Sequence, residues 1–397
     1  MEKKFSLKTV ITVTCVVTVA AITLTAAFFG FVIVPKREGS LHNSYGKLVE
    51  INNIVESFYA GEIDNEAIND SLAYGYILGM GDKYAAYISK KDADINLNSL
   101  KGYNTGIGVQ VSQHPDTKNI YVGEVHKDSP AEKAGIKKGD QIIAIDGLSV
   151  KETGYLEVVN YIPTVPLGNT MKVNVLRNGE ELLLEVTLAV FATQSVFYEK
   201  FHDIGYICIT AFNDRTFEQF KSGIDSLLAD GVKALVFDLR GNGGGTLTSV
   251  CKMVDYIVPE GVITKVDYKV DALDETYTSD SNEVNVPMAI LTDESTASAS
   301  ELFAQSLIDY GKAVTIGRKT YGKGVVQSTY SLSDGSLVRF TVAKYYTKNG
   351  ICVDGIGVSP SIPVEWSNEE LNYRIVNGIE VDKDYLAAVE YLTNQLS

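Results

Sequence analysis

The chain has 397 residues, of which 50 are acidic, 35 are basic and 45% are hydrophobic. This length predicts two or three domains with substantial cores, and glycine and proline are too scattered for a largely disordered chain. The net charge of −15 argues against binding to nucleic acid, since no basic stripe outweighs the acid. The four cysteines form no C-x-x-C pair, which excludes a zinc knuckle.

An uncharged stretch from Thr9 to Val34 lies near the start of the chain. It exceeds the ~20 residues that a helix needs to cross a bilayer, and the lysines before it predict a cytoplasmic N-terminus. A cleaved signal peptide is the alternative, but the stretch is long for one and its alanines make a poor cleavage site. We expect residues 1–34 to be a cytoplasmic start and an uncleaved, single-pass transmembrane anchor in the cell membrane, with the rest of the chain outside the cytoplasm.

Residues 35–100 are predicted to form a helical segment. Leu48, Ile51 and Ile54 recur at helical spacing, and Gly61 ends the run. No cluster of candidate ligands lies here, so we predict a packing role only.

Residues 101–191 change period to short β-strands separated by turns. Two helices interrupt these strands. Ser129 followed by Pro130 is typical of a helix start, and the second helix is predicted over residues 155–162. The leading glycine turn and the run SPAEKAGIKKGDQIIAIDG make this region resemble a PDZ domain, although a small β-domain with an ordinary turn is the simpler alternative.

A PDZ fold implies a peptide-binding turn and an open strand edge beside it. Backbone N–H groups of the turn would converge on the terminal carboxylate of a peptide, which would add a strand to the next edge. The predicted turn consists of Gly106, Ile107, Gly108 and Val109.

Strands and helices alternate over residues 192–364. The strands GYICITAF, KALVFDLR, PMAILTD and AVTIG are separated by helical patterns, and this alternation predicts an α/β core with parallel strands. Two hairpins are predicted to turn at Asp334-Gly335 and at Asn349-Gly350. Residues 365–397 are predicted to form a C-terminal helical tail.

The segment DLRGNGGG at 238–245 follows a buried strand and precedes a helix. A dinucleotide fingerprint needs a third glycine where Thr246 stands, so that match fails. The free backbone N–H groups of such a turn suit an oxyanion, although alone the segment favours an ordinary turn.

The segment STASASE at 295–301 opens a predicted helix. Ser298 and Glu301 fit the S-x-x-E capping box, so an N-cap is the simpler interpretation of Ser298 taken alone. A serine at this position also lies where the helix dipole and free amides favour negative charge. Such a place suits a nucleophile whose attack creates an oxyanion.

The segment GRKTYGKG at 317–324 comes within one residue of a phosphate-binding P-loop. Gly324 replaces the hydroxyl residue that would hold Mg²⁺, and the following VVQSTYSL alternates like a strand where a P-loop opens a helix. We therefore discount a nucleotide-dependent enzyme. Lys323 is then either a solvated turn lysine or a buried base.

None of the four histidines has a partner at catalytic or metal-ligand spacing. A hydrolase built on these segments must therefore use a lysine as its base. The pKa of that lysine must fall from ~10.4 towards neutrality, and burial lowers the pKa of a lysine by up to ~3–5 units. Serine paired with lysine is a recognised variant of the nucleophile–base arrangement.

Together with the run GICVDGIGVSPSI, these three segments resemble the carboxy-terminal processing peptidases, or tail-specific proteases, which are Ser–Lys serine endopeptidases. The resemblance covers nearly all of the chain after the anchor. It implies an α/β and α+β multidomain protein, with a PDZ domain at 101–191 and a mixed α/β, ClpP/crotonase-like protease core at 192–364. The one departure is Thr296, where serine is commoner.

The resemblance also implies the catalytic roles. Ser298 corresponds to the nucleophile, Lys323, 25 residues later, to the general base, and Gln327 to the residue that orients the lysine. Asp309 corresponds to a family aspartate that we interpret as structural support. The oxyanion hole would use backbone amides of Ala299 and of Gly243 or Gly244.

The resulting hypothesis is a bacterial, membrane-anchored, extracytoplasmic serine endopeptidase that needs no metal or cofactor. Its expected partners are protein and peptide substrates with accessible C-termini, captured by the PDZ domain, and the bilayer. Terminal helices pair subunits in some relatives, which leaves a homodimer open. The alternative from another class is a catalytically silent PDZ scaffold.

Overall fold

The computed structural model of the chain describes residues 41–367 and 382–397. The predicted anchor lies outside these residues, and none of the helices among them is long and apolar enough to cross a membrane. The chain divides into two compact units, Met1–Ile68 and Asn69–Ser397.

The helices of the described residues are α1 (Leu41–Phe58), α2 (Asn65–Gly79), α3 (Lys90–Leu100), α4 (Pro130–Lys133), α5 (Val150–Thr153), α6 (Tyr155–Tyr161), α7 (Thr216–Ala229), α8 (Leu247–Ile257), α9 (Ala299–Asp309) and α10 (Lys383–Leu396). The strands are β1 (Ala86–Ile88), β2 (Tyr103–Gly106), β3 (Val109–Gln113), β4 (Ile120–Val125), β5 (Gln141–Ile145), β6 (Leu148–Ser149), β7 (Thr170–Arg177), β8 (Glu180–Thr187), β9 (Ala189–Ala192), β10 (Val196–Phe201), β11 (Ile204–Ile209), β12 (Ala234–Asp238), β13 (Gly261–Tyr268), β14 (Glu275–Ser279), β15 (Met288–Thr292), β16 (Ala313–Gly317), β17 (Val325–Ser331), β18 (Leu337–Thr347) and β19 (Ile362–Pro363).

The first unit contains α1, which ends at Phe58, before the glycine that was predicted to stop it. The apolar stripe that predicts this helix is largely exposed: Ile51 is 50% exposed and Ile54 54%. The predicted helix is therefore present, but within the described residues its apolar face is exposed.

The second unit begins inside α2, and its first strand corrects the helical prediction for residues 35–100. β1 pairs antiparallel with the start of β18, where Ala86 lies opposite Arg339. The carboxylate of Asp82 accepts hydrogen bonds from the backbone N–H groups of Tyr84, at 2.9 Å, and Thr341, at 2.8 Å. A distant strand edge thus supplies the backbone partners that a further helical turn would have supplied.

The antiparallel sheet β3-β4-β5-β7-β8 forms the PDZ-like region, with β3 at its edge. The predicted cap of α4 is confirmed, because the Ser129 hydroxyl accepts from the backbone N–H of Glu132 at 3.2 Å. α6 is also present where it was predicted. The hydroxyl of Tyr155 in α6 lies 3.5 Å from the carbonyl oxygen of Val111 in β3, so this helix flanks the edge strand.

The core sheet has the order β10-β11-β12-β15-β16-β19, and its strands from β11 onwards run parallel, as the alternating pattern predicts. Alternate residues of β12 face opposite sides. Phe237 packs against Phe220 of α7 and Phe303 of α9, with ring centroids 5.6 Å and 5.4 Å apart. Val236 belongs to the cluster on the other face, which includes Leu392 of α10. The sheet is thus buried between helices on both faces.

A second, antiparallel sheet joins β17 and β18 to β1, β13 and β14. The predicted hairpin at Asp334-Gly335 is confirmed, with Gly335 at φ +95°. The second predicted hairpin is wrong, since the chain turns at Gly350 but no strand follows over 351–361. The backbone N–H groups of that segment bond elsewhere: Gly355 donates to Gly322, and Val358 donates to the hydroxyl of Thr320.

Candidate active site

Three neighbouring parallel strands lead into the three segments singled out in the sequence. β12 runs into the glycine turn, β15 into the segment before Ser298, and β16 into the loop that carries Lys323. The carboxyl ends of parallel strands meet at one edge of a sheet, which is where α/β folds place ligands. The topology therefore brings these segments together.

Ser298 immediately precedes α9, and its backbone has φ +58° and ψ −116°. This region is sparsely populated by residues other than glycine, and holding a side chain there costs on the order of 1–3 kcal/mol. Ser298 is half-buried, whereas its neighbours Ala297 and Ala299 are buried. The helix start was predicted, but the strained backbone was not.

The buried carboxylate of Glu301 links the serine to the lysine loop. Its Oε2 accepts from the backbone N–H of Ser298 at 2.8 Å and from that of Lys323 at 2.7 Å. Its Oε1 accepts from the backbone N–H of Gly322 at 2.7 Å and from the hydroxyl of Thr320. One side chain therefore fixes the backbone of both predicted catalytic residues.

Tyr345 of β18 makes a second link between the same two residues. Its buried hydroxyl shares its one proton between the carbonyl oxygens of Lys323, at 2.9 Å, and Ser298, at 3.1 Å. Burial raises the pKa of Tyr345 well above its usual value, so the hydroxyl stays a donor. Gly324, the next residue after Lys323, lies so close to the backbone of Asp354 that a Cβ there would lie 2.4 Å from the Asp354 nitrogen. Only glycine fits at this position.

Lys323 and Ser298 line one cavity of about 620 Å³. Burial lowers the pKa of Lys323, and the positive charge of Arg339 lowers it further, while Asp82 acts in the opposite direction. The amine lies 4.6 Å from the ring centroid of Tyr84. Among the described hydrogen bonds, none joins this amine to the Ser298 hydroxyl.

Gln327 lies in β17 and lines the same cavity. Its side-chain amide donates to the carbonyl oxygen of Val325 at 3.3 Å, and no described hydrogen bond joins it to Lys323. Its orienting role stays a prediction.

The glycine turn lies against the serine. A Cβ at Gly244, which has φ +101°, would lie 2.9 Å from the Cβ of Ser298 and 2.7 Å from the carbonyl oxygen of Ala297. The N–H of Gly244 donates to the side-chain oxygen of Asn242 at 2.8 Å. In the part of the chain that the structure describes, the N–H of Gly243 has no acceptor.

Two further clusters hold the site in place. The buried guanidinium of Arg240 bonds Asp238, at the end of β12, and Asp382 and Asp384, at the start of α10, which ties the C-terminal helix to the strand before the glycine turn. The carboxylate of Asp309 accepts from the Gln305 amide at 2.9 Å. It also accepts from the Thr347 hydroxyl and the Asn349 backbone N–H. These bonds tie the end of α9 to the end of β18, which agrees with a structural role for this aspartate.

The predicted peptide-binding turn lies beside the edge strand β3. The carbonyl oxygens of Ile107 and Gly108 accept from Ala131 and His126, whereas no described hydrogen bond uses the N–H group of Ile107 or Gly108. Gly106 and Gly108 both have positive φ, at +149° and +82°. The turn thus presents free donors next to an unpaired strand edge.

Several residues of the site have no role in the sequence-based prediction, and Asn242, Tyr84 and Arg339 are examples. Asn242 could have been noticed as the one polar side chain among the glycines of the turn, and its side-chain oxygen accepts from the N–H of Gly244. Tyr84 and Arg339 reach the cavity only because β1 and β17 pair with β18, so no local pattern identifies them.

Comparison with known families matches two regions of the chain. The model for peptidase family S41 matches residues 203–364, and a PDZ domain model matches residues 105–188.

The carboxy-terminal processing protease CtpA of Bacillus subtilis is 30% identical over 388 residues, which cover 97% of this chain and 82% of the relative. A protein of Staphylococcus haemolyticus described as a CtpA-like serine protease is 32% identical over 338 residues, covering 84% of this chain. This chain spans 66% of that relative's length. A crystal structure from Bacteroides fragilis, described as that of an S41 protease, shares the fold with a TM-score of 0.56 and 16% identity, over 85% of this chain and 93% of that one.

Proposed function

Because the chain belongs to peptidase family S41, among its carboxy-terminal processing proteases, we propose that it is a serine endopeptidase that uses Ser298 as nucleophile and Lys323 as general base. The observation that carries this proposal is the Glu301 carboxylate, which bonds the backbone of both residues at the rim of one cavity. An ordinary capping glutamate has no reason to reach a loop more than 20 residues away.

The first half of the reaction forms an acyl-enzyme. The uncharged amine of Lys323 takes the proton of the Ser298 hydroxyl while the serine oxygen bonds to the carbonyl carbon of the scissile peptide. Burial supports this role because it favours the uncharged amine. The amine rests over Tyr84, so reaching the serine requires a rotation about the lysine's own side-chain torsions.

The carbonyl oxygen becomes an oxyanion in this step, and two backbone donors are suited to it. Ala299 is the first residue of α9, where a helix leaves its N–H groups unpaired. We assign the second donor to Gly243 and not to Gly244, because the N–H of Gly244 already donates to Asn242. Losing one such donor costs ~10²–10³-fold in rate.

The acyl-enzyme forms when the Lys323 ammonium donates its proton to the leaving amine and the peptide C–N bond breaks. The second half of the reaction returns the enzyme to its starting state. A water molecule attacks the acyl carbon, Lys323 accepts the water's proton, and that proton returns to the serine oxygen as the ester bond breaks. Gln327 would orient the lysine during these transfers by hydrogen bonding to its amine.

We propose that the PDZ-like region captures the C-terminal tail of the substrate. The free N–H groups of Ile107 and Gly108 suit a terminal carboxylate, and the β3 edge can accept an extended peptide. Replacing residues 106–109 should lower cleavage of substrates with a free tail. Unchanged kinetics with such a variant would contradict the assignment.

The cellular setting and the assembly state are further proposals from the sequence. The uncharged stretch at 9–34 supports a single-pass anchor with the catalytic part outside the cytoplasm, which protease accessibility of intact cells would test. Exposed apolar side chains on α1, including Phe58 at 82%, support pairing with a second copy. Light scattering of the purified chain would test that pairing.

Two variants test the catalytic assignment directly. Ser298→Ala should abolish casein cleavage and labelling by a fluorophosphonate while leaving the thermal midpoint close to wild type. Lys323→Arg should also be inactive, because a guanidinium is effectively never a base. Wild-type cleavage by either variant would contradict the assignment, and an inactive wild-type chain that still binds peptide tails would favour the silent PDZ scaffold.

A further inference from the structure

Two basic side chains besides Lys323, those of Lys83 and Arg339, line the cavity that holds Ser298. Arg339 lies in β18, opposite Thr329 of β17 and Ala86 of β1, and it lines the cavity together with Gln327. The residue is half-buried. Within residues 41–367 and 382–397, no hydrogen bond or ion pair joins its guanidinium to an acid. Within the described residues its positive charge is therefore not neutralised by an ion pair.

The other charges around Lys323 show what a free positive charge does here. Asp82 and Glu301 lie near the amine and favour its protonated form, whereas Lys83 opposes them weakly. Asp82 is fixed by the N–H groups of Tyr84 and Thr341, and Glu301 by its four donors. Left alone, these two carboxylates would hold a proton on the residue that has to accept one.

We propose that Arg339 is a positioning residue for the base, whose permanent charge repels a proton from Lys323 and keeps the amine able to accept the Ser298 proton. The proposal rests on the proposed Ser–Lys mechanism. Arginine suits this task because its guanidinium stays charged at every pH at which the protein is folded. Among the charges near the amine, that of Arg339 lowers the pKa of Lys323 more than that of Lys83 does.

The test is the pH dependence of two rates, kcat/KM for a neutral peptide and labelling of Ser298 by a fluorophosphonate. Both rates should rise with pH as Lys323 loses its proton. In Arg339→Gln the rise should move to higher pH by about half a unit to one unit, the size expected for unit charges sharing a partly solvated cavity. At pH values above the rise, the variant and the wild type should agree within about threefold, and Arg339→Lys should follow the wild type.

The matched control is Lys265→Gln, which removes one positive charge from an exposed position of β13 in the same sheet. Its pH profile should superimpose on that of the wild type. A wild-type profile for Arg339→Gln would overturn the proposal. So would an equal loss of rate at every pH together with a lower thermal midpoint, which indicates a structural role, or a KM increase confined to acidic peptides, which indicates substrate binding.

The proposal and the Ser–Lys mechanism fail in different ways. If the mechanism is wrong, either Ser298→Ala or Lys323→Arg cleaves like the wild type, whatever the Arg339 variants show. If only the role of Arg339 is wrong, Ser298→Ala and Lys323→Arg are both inactive and the Arg339→Gln profile superimposes on that of the wild type.

Discussion

The sequence S-x-x-E begins a helix at Ser129 in the PDZ-like region and at Ser298 in the protease core, and these two copies differ in almost every structural respect. In the PDZ-like region Ser129 has an ordinary extended backbone, with φ −71° and ψ 163°, is buried, and its hydroxyl accepts from the N–H of Glu132. In the protease core Ser298 has φ +58° and is half-buried. The glutamates are reversed as well, since Glu132 is exposed and Glu301 is buried.

The difference teaches that the same local motif can only cap a helix, or can also hold a distant loop against the helix start when that loop supplies hydrogen-bond donors. The carboxylate of Glu132 accepts one bond from the neighbouring backbone of Asp128 and otherwise faces solvent. A carboxylate can accept about four hydrogen bonds, and Glu301 uses that capacity on Ser298 and on the loop 320–323. The local bond starts a helix, and the long-range bonds join the backbone of the proposed nucleophile to that of the proposed base.

The sharpest test of this comparison is Glu301→Gln, which keeps the shape of the side chain but leaves it only one acceptor oxygen. One carboxylate oxygen becomes an amide NH₂, which must face N–H donors and leaves them unpaired. The Ser298 and Lys323 backbones should then shift relative to each other, and displacements of this kind cost about 10²-fold in rate. We expect kcat for a peptide substrate to fall at least that far.

The matched control is Glu132→Gln in the first copy of the motif. It makes the same chemical change at an exposed cap, so peptide cleavage should stay within about twofold of the wild type and stability should fall by at most ~1 kcal/mol. Equal effects of the two substitutions on kcat would show that Glu301 is only a cap.

Most of the scaffold around this comparison could be predicted from the sequence. The parallel core strands follow from buried β-runs alternating with amphipathic helices, and the cap of α4 from the Ser129-Pro130 signal. The sequence patterns that predict these features are local, even though the parallel strands themselves pair with distant ones. The similarity to S41 proteases then gives roles to Ser298 and Lys323 that the capping-box pattern alone would not give.

The features that escape the sequence are those made by distant segments. β1 is a strand only because the edge of β18 is free to pair with it, and that pairing carries Tyr84 to the lysine. The choice between Gly243 and Gly244 likewise depends on which N–H the Asn242 side chain occupies. The predicted hairpin at Gly350 fails for the same reason, since the following segment bonds to the lysine loop.

The backbone strain at Ser298 gives the next contrast. Ser298→Gly removes the proposed nucleophile, so activity should vanish, but glycine adopts φ +58° without the penalty that a residue with a side chain bears. We expect the core to become more stable by about 1 kcal/mol. Urea unfolding followed by the single tryptophan, Trp366, would report this change, because its indole bonds Asp384 of α10 within the core unit. Unaltered or reduced stability would mean that Ser298 is not strained.

The smallest expected effect belongs to the ordinary copy of the motif. Ser129→Ala removes a hydroxyl that accepts from the Glu132 backbone, and losing such a cap costs about 1 kcal/mol. Ser129 also lies against Gly108 of the proposed peptide-binding turn, where a Cβ would lie 2.3 Å from the Ser129 side chain. Local opening should therefore rise about fivefold across residues 105–188, measured by hydrogen–deuterium exchange, with no change in the core. Equal exchange in both regions would mean that the two copies of the motif do not act on separate domains.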